Sequence, residues 1–477
     1  MKRKILAAAL ALLLTSCGGG LFPPETSDPA GSSGESVVPE TVLPGTEEPR
    51  VLPVSVDGQI LIADTNGNEI FAGRGVYLLP DIFTNEPAYI VKRRYESMDR
   101  SEDDWVIDAK IFSTLYDLTG KELRPERECM YVTAFGDYLV SVENAYRGGM
   151  LERVSTGERL LDGVVYTSIL GQKYVALSDA DSEPMAWIDR EGNFRDVGDF
   201  WSCYQSGNPD YYITHDRDYT LQGVVDQNLE TVLPLAYQSL NVVGDYILTW
   251  DGTTSQALLL PECREVLALE GRRLNYFDGE VGIAGAGADD WGYQLVDARG
   301  EPLHEEAFDY FLPDYANAPC PAFATTDQYG NAVLLDRQGR VLLRQAGASV
   351  TPLLRDRYLL SWWEQDSGEG AAAGVSHCMV LDSKGGTVVP DGRYSWISQV
   401  WGMDGSSGYL QGASESSGYS VLDLLNADCS LRISGLREIY GISGDYISVQ
   451  KGFSAGIMDL DGNWRYKTSI FHSISDE

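Results

Sequence analysis

The feature that most constrains this chain is a turn that returns eleven times. An apolar run ends in Asp, two residues follow, then Gly, then a second apolar run. It stands as Ile62-Ala63-Asp64-Thr65-Asn66-Gly67 and as Leu115-Tyr116-Asp117-Leu118-Thr119-Gly120. It returns at Asp189, Asp297, Asp336, Asp382 and Asp459, each with Gly three residues on. Altered copies fill the gaps: Ser155-Thr156-Gly157, Asp226 with Leu229 in the glycine place, Pro261-Glu262, and Asp423 with a lengthened turn. From Asp64 to Asp459 is 395 residues over ten intervals, so the unit is about 40 residues long. The chemistry is that of a hairpin. Asp accepts hydrogen bonds from its own backbone two residues on, and Gly supplies the positive φ that a tight reversal needs.

A second signature falls between the turns, at Gly136-Asp137-Tyr138, Gly244-Asp245-Tyr246 and Gly444-Asp445-Tyr446, with looser copies at Lys173-Tyr174 and Arg357-Tyr358. Aromatic and β-branched residues alternating with polar ones follow it, which argues for strand. One unit reads through as four strands: Ser239–Val243, Tyr246–Trp250, Ala257–Leu260 and Val266–Leu269. Four short strands in about forty residues is the size of a propeller blade. No long amphipathic helix is legible after residue 50. The expectation is an all-β, repeat-built, β-propeller-like domain over residues 51–477. Eleven turns exceed the roughly four to eight blades a propeller usually holds. Two turns in some blades, two rings, and a larger or open array all stay open.

The best-preserved unit is Trp291-Gly292-Tyr293-Gln294-Leu295-Val296-Asp297-Ala298-Arg299-Gly300-Glu301-Pro302-Leu303, followed by Phe308-Asp309-Tyr310. This order resembles the bacterial WG-repeat family. Elsewhere the Trp-Gly pair is replaced, as Ala186-Trp187, Gly223-Val224 or Gly418-Tyr419. The resemblance implies β-rich repeats, often on exported proteins, and no catalytic residues.

Export is also what the N-terminus points to. Lys2-Arg3-Lys4 precedes an uncharged apolar run, Ile5–Leu14, which suits a signal peptide and is shorter than the roughly 20 residues that span a bilayer. Leu14-Thr15-Ser16-Cys17 resembles the bacterial lipobox. That resemblance implies cleavage after residue 16, a lipid (palmitate among its acyl chains) on the Cys17 thiol, and a protein at the extracytoplasmic face of the cell membrane. Residues 17–50 are rich in Pro, Gly, Ser, Thr and Glu. Such a segment buries too little apolar surface to offset its ordering entropy, and is expected to be a disordered tether.

Charge excludes one class of partner. The chain carries a net charge of −35, which repels phosphate backbones, so nucleic acid is not expected as a ligand. The chemistry-bearing residues are sparse. His215, His304, His377 and His472 stand far apart and read as surface or packing residues. No zinc spacing, nucleophile elbow or phosphate loop is present. No catalytic, cofactor-binding or metal site is expected. Cys129, Cys203, Cys263, Cys320, Cys378 and Cys429 could form up to three disulfides or remain buried thiols. The acidic clusters at Asp64–Glu69 and Asp179–Glu183 lack the calcium-loop pattern and read as turns. Asp459-Leu460-Asp461-Gly462-Asn463-Trp464 comes near a sialidase Asp-box but has the wrong spacing. Of ten tryptophans, most are expected in packing. Trp362-Trp363 are the candidate ligand contacts, because neighbours on a strand face opposite ways and one is therefore expected outward. The leading expectation is a non-enzymatic binding or scaffold module for a protein or glycan. The alternatives are a polysaccharide hydrolase with acids at the ring centre, or a purely structural envelope component.

Overall fold

The computed structural model describes residues 49–96, 110–144, 148–170, 173–196, 201–287, 292–313, 318–354, 356–365, 374–402, 405–416 and 419–470. The signal segment, Cys17, most of the tether, Trp291 and His472 lie outside them. Every regular element among the described residues is a β-strand. The strands fall into eleven antiparallel blades in chain order, numbered 1 to 11: 51–73, 76–128, 131–164, 166–195, 202–237, 239–270, 274–297, 310–345, 348–389, 396–436 and 438–469; a parallel bridge from Gly402 to Ile442 joins the last two. The chain is a β-propeller. The eleven turns counted along the chain fall one to a blade, between third and fourth strands, which removes the alternative of two of them per blade.

Within a blade the strands run first to fourth as neighbours. First strands of adjacent blades approach one another, as Val76–Pro80 does Tyr131–Phe135 and Tyr166–Leu170 does Ser202–Gln205, which turns them toward the axis. Alternation then places apolar residues on both faces of each sheet, against the blade before and the blade after. The ring closes on itself. Leu52, Val54, Val56, Leu61 and Ala63 of blade 1 share one core with Tyr446, Ala455, Ile457 and Tyr466 of blade 11. Polar contacts finish the seam: the Tyr466 hydroxyl donates to Glu69 at 2.5 Å, and Arg50 reaches Glu86 at 3.1 Å and Ser443 at 3.2 Å.

Two blades depart from four strands. In blade 1 the Asp64 turn joins Gln59–Asp64 to Glu69–Gly73, the place of the third-to-fourth turn elsewhere. Its three strands are therefore the second to fourth of the pattern, with no first strand among the described residues. In blade 7 the fourth strand shrinks to two isolated bridges, Val296 to Pro302 and Tyr293 to Phe308; at the first, proline has no N–H to extend the ladder.

The turn acids act as staples. Asp336 Oδ1 accepts from the N–H groups of Gln338 and Arg340 at 2.9 Å each. Asp297, Asp382 and Asp459 make the same pair of bonds. One reading of the altered copies needs correction. The blade 10 turn is not a lengthened turn at Asp423. It is Asn426-Ala427-Asp428-Cys429, with Cys429 N–H donating to the Asn426 carbonyl at 2.8 Å. Asp423 lies within the third strand and accepts from the Tyr394 hydroxyl at 3.0 Å. Cys429 takes the glycine place at φ 68°, as Leu229 does at φ 69° and Cys263 at φ 52°. Left-handed backbone costs a residue with Cβ roughly 1–2 kcal/mol. Exposed Ser182 sits at φ 62° in a turn of the same kind. Ser182→Gly is expected to stabilise the fold by about 0.5–1 kcal/mol, after the larger unfolded-state entropy of glycine is subtracted. A urea midpoint that does not rise would refute the strain.

The staples also set an acid limit. Thr254 and Thr253 N–H bonds hold Asp251 below the usual carboxylate range. The Thr220 hydroxyl and the Leu221 amide do so for Asp216. For Asp336 burial pushes upward, but the amide bonds and the Arg340 guanidinium outweigh it. A depressed folded pKa stabilises fully above the unfolded value and is lost as pH falls through the folded one. Self-repulsion of the acidic chain eases as acid is added. The melting temperature is therefore expected to peak on the acid side of neutrality and to fall below pH ~4. Thermal melts from pH 8 to pH 3 test this, and stability still rising below pH 4 would contradict it.

Candidate ligand-binding face

Up-and-down connectivity gives every blade two unlike ends. First-to-second and third-to-fourth hairpins lie at one end, the hairpin face. Second-to-third turns and the crossings into the next blade lie at the other, the linker face. Exposed aromatic side chains separate between them. Tyr219, Tyr329 and Phe453 sit in second-to-third turns of blades 5, 8 and 11; Tyr95 and Trp363 end second strands of blades 2 and 9. Tyr166, Tyr310 and Trp396 open first strands of blades 4, 8 and 10. All eight belong to the linker face. Only Phe194 is exposed at the hairpin face among the described residues, and Tyr204 stands partway along a strand. A folded chain leaves single aromatics exposed without consequence; what stands out here is that they share one face.

The Asp staple does not separate the two faces. Second-to-third turns use it as well: Asp327 accepts from the N–H groups of Tyr329 and Asn331, and Asp216 from those of Thr220 and Leu221, and these are the turns from which the aromatic side chains Tyr329 and Tyr219 project. In blade 5 the rings form a ladder: Tyr204 stacks on His215 with centroids 5.3 Å apart, and His215 lies 5.1 Å from Tyr219. Burial holds the His215 imidazole below its ordinary pKa, against the pull of Asp216. It stays neutral and acts as a ring in the stack. Beside it Arg217 lies over the Trp201 ring at 4.8 Å.

The two tryptophans singled out from the sequence take opposite sides of the second strand of blade 9. Trp363 is 61% exposed. Trp362 is half-buried and stacks on His377, with centroids 5.0 Å apart and planes 4° from parallel. His377 Nδ1 meets Asp391 at 2.9 Å. Of the pair, Trp363 alone is exposed, and Trp362 serves the stack. His304 packs on Phe308, with centroids 5.4 Å apart.

Between blades 6 and 7 the linker face opens into a cleft of about 890 Å³, within the range of small-ligand sites. Trp250, Thr253, Thr254, Glu270, Arg273 and Tyr293 line it, with glycines 252, 271, 285, 287 and 292 between them. Arg273 is held by Ser239 Oγ at 2.8 Å. Trp250 and Tyr293 belong to different repeats, so no single repeat contains the site. No local pattern in the sequence joins them.

Burial weakens the cysteines of the described residues as nucleophiles. The six body cysteines are free thiols; burial pushes Cys378 up to about 11 and Cys203 further still, so the thiolate is scarce at neutral pH. Among the described residues no cluster of three or more His, Cys, Asp or Glu could hold a metal ion. Asp64 and Asp179, of the two acidic clusters, spend their carboxylates on turn amides.

No protein-family model matches the chain, and no curated protein does. Solved structures match at low similarity. A eukaryotic initiation factor matches at 8% identity, covering 81% of this chain and 96% of its own, with a TM-score of 0.35. BamB from Moraxella catarrhalis matches at 11% identity over 73% of this chain and 94% of its own, with a TM-score of 0.26. The β-propeller domain of Cps50 (Swd1) from Myceliophteria thermophila matches at 10% identity over 56% and 99%, with a TM-score of 0.25. At these scores none of the three speaks to function.

Proposed function

We propose that this protein is a non-enzymatic binding or scaffold module that engages a protein or glycan on its linker face, held at the outer side of the cell membrane by an acylated Cys17. The observation that carries the binding role is the one-sided set of exposed aromatics. Aromatic side chains bring large apolar area at small entropy cost and dominate interface energetics. The anchor rests on the lipobox-like Leu14–Cys17 segment, and residues 17–50 would give the ring reach from the bilayer.

Two experiments test the reading. A Trp363→Ala, Tyr329→Ala, Phe453→Ala triple variant and a hairpin-face control, Phe194→Ala, are compared against envelope extract and a glycan array, with every spot checked for cleavage. Loss of at least tenfold in binding for the triple variant alone supports the linker face. Equal binding by all forms counts against it, and cleaved spots would favour the hydrolase alternative. In cells, Cys17→Ala is expected to abolish labelled palmitate incorporation and move the protein out of the membrane fraction. Retention of label would place the lipid elsewhere.

A further inference from the structure

We infer that the cleft between blades 6 and 7 binds a neutral oligosaccharide, with Trp250 as its stacking platform. This rests on the linker face being the binding face and names a ligand class for one part of it. Three features of the lining select that chemistry. First, two aromatic side chains, Trp250 and Tyr293, share one cleft. The C–H face of a pyranose is apolar and packs against such rings, while the ring edge carries hydroxyls. Second, the polar groups come as both donors and acceptors: Glu270 accepts, Arg273 donates, and Thr253 and Thr254 do either. A sugar hydroxyl is itself both donor and acceptor, so this mixture satisfies it. A purely apolar ligand would leave these groups unpaired at a cost. Third, glycines line the walls. Gly285 ends one strand and Gly292 precedes the next; their peptide groups are spent within the protein, with Gly285 N–H donating to the Arg273 carbonyl at 2.8 Å, its carbonyl accepting from Arg272 Nε at 2.7 Å and the Gly292 carbonyl accepting from Ala286 N–H at 3.0 Å, so what the glycines add is room for a sugar ring between the two aromatics.

Charge and carboxylate count narrow the class further. Among the described lining residues Glu270 and Arg273 offset each other, and the chain as a whole is acidic. An anionic sugar or a phosphorylated ligand meets one arginine against a repulsive field. Glycoside cleavage by the usual route takes a pair of carboxylates flanking the bond. Glu270 is the single carboxylate in the described lining, which makes this a site for holding a glycan. Arg273 donates to Ser239 Oγ at 2.8 Å and keeps further guanidinium N–H groups for a ligand.

The test uses the purified full chain and a panel of neutral tetrasaccharides: cellotetraose, chitotetraose, maltotetraose and mannotetraose. Binding is read by tryptophan fluorescence and by titration calorimetry. At least one is expected to bind and shift the fluorescence, with no shortening of the sugar by mass spectrometry. Trp250→Ala is expected to weaken that binding at least tenfold. Glu270→Gln, which keeps shape and removes the charge, is expected to weaken it several-fold with an unchanged melting temperature. It keeps the test open if Trp250→Ala does not fold. Phe194→Ala, on the hairpin face, should bind the same sugar as the parent does. No binding across the panel, or Trp250→Ala and Glu270→Gln both binding as the parent does, would overturn the inference. If those sugars fail while the linker-face triple variant still loses an envelope protein, the binding-face reading stands and the saccharide cleft falls.

Discussion

Gly149→Ala is expected to destabilise the ring by about 3 kcal/mol or more, the upper end of overpacking costs. A Cβ built on Gly149 would stand 1.9 Å from the Ser141 carbonyl oxygen and 2.7 Å from Val142 Cα. Both are backbone atoms of the neighbouring strand, so neither can swing aside. The strand Gly148–Arg153 pairs with strands on both sides, and its register shifts on either side of Gly149. The crowding is the product of that irregularity. The close approach, and no special φ, is what demands glycine here. A comparison separates the two causes. Gly462 has φ 85° and nothing within 4 Å of a built Cβ, so Gly462→Ala carries conformational strain alone, roughly 1 kcal/mol. Urea unfolding of the two variants should differ by about 2 kcal/mol. Equal losses would mean that the strands can separate at Gly149 without cost.

Phe323→Ala is expected to cost about 3–5 kcal/mol, the range for deleting a fully buried aromatic ring. Phe323 is 0% exposed. Its ring meets Tyr276 edge-on at 5.6 Å and Phe311 at 6.5 Å. The core around it spans blades 6, 7 and 8 and includes Phe277, Phe308 and Leu335. Blade 7 has lost most of its fourth strand, so this aromatic cluster takes over the work of holding it between its neighbours. The cavity would sit at a seam whose hydrogen-bonded sheets stay intact. The variant should therefore keep its β-sheet circular dichroism while its urea midpoint falls. Val341→Ala, at an exposed position of blade 8, is the control and should stay within about 0.5 kcal/mol. A Phe323→Ala loss below 1 kcal/mol would show that the seam re-packs around the hole.

Much of this was legible along the chain because it is local. Asp-x-x-Gly turns report a hairpin through bonds made within five residues, and Asp336 and Asp459 make them as expected. The unit read at Ser239–Leu269 folds as four strands in that order. Alternation also told that Trp362 and Trp363 would part, though not which would face out. The altered copies misled. Asp423 resembled a turn residue by position, but Asn426 and Cys429 form the turn, because a left-handed Cys is invisible to a reading that looks for Gly. The Trp250–Tyr293 cleft was not legible at all. Its two aromatics are contributed by successive repeats and meet only across a packed seam.

By itself, the sequence determined the repeat, the strand polarity, the hairpin chemistry and the alternation of inward and outward side chains. Each follows from hydrogen bonds and steric periods that span a few residues. The tertiary structure alone decided that the eleven units close into one ring, that blade 1 packs on blade 11, and that the aromatics gather on one face. Closure depends on how far each blade is rotated against the next, which is set by many side chains meeting between repeats, and no local rule sums those contacts. The candidate site belongs to this second class, because a cleft between blades exists only where two separate repeats are held side by side.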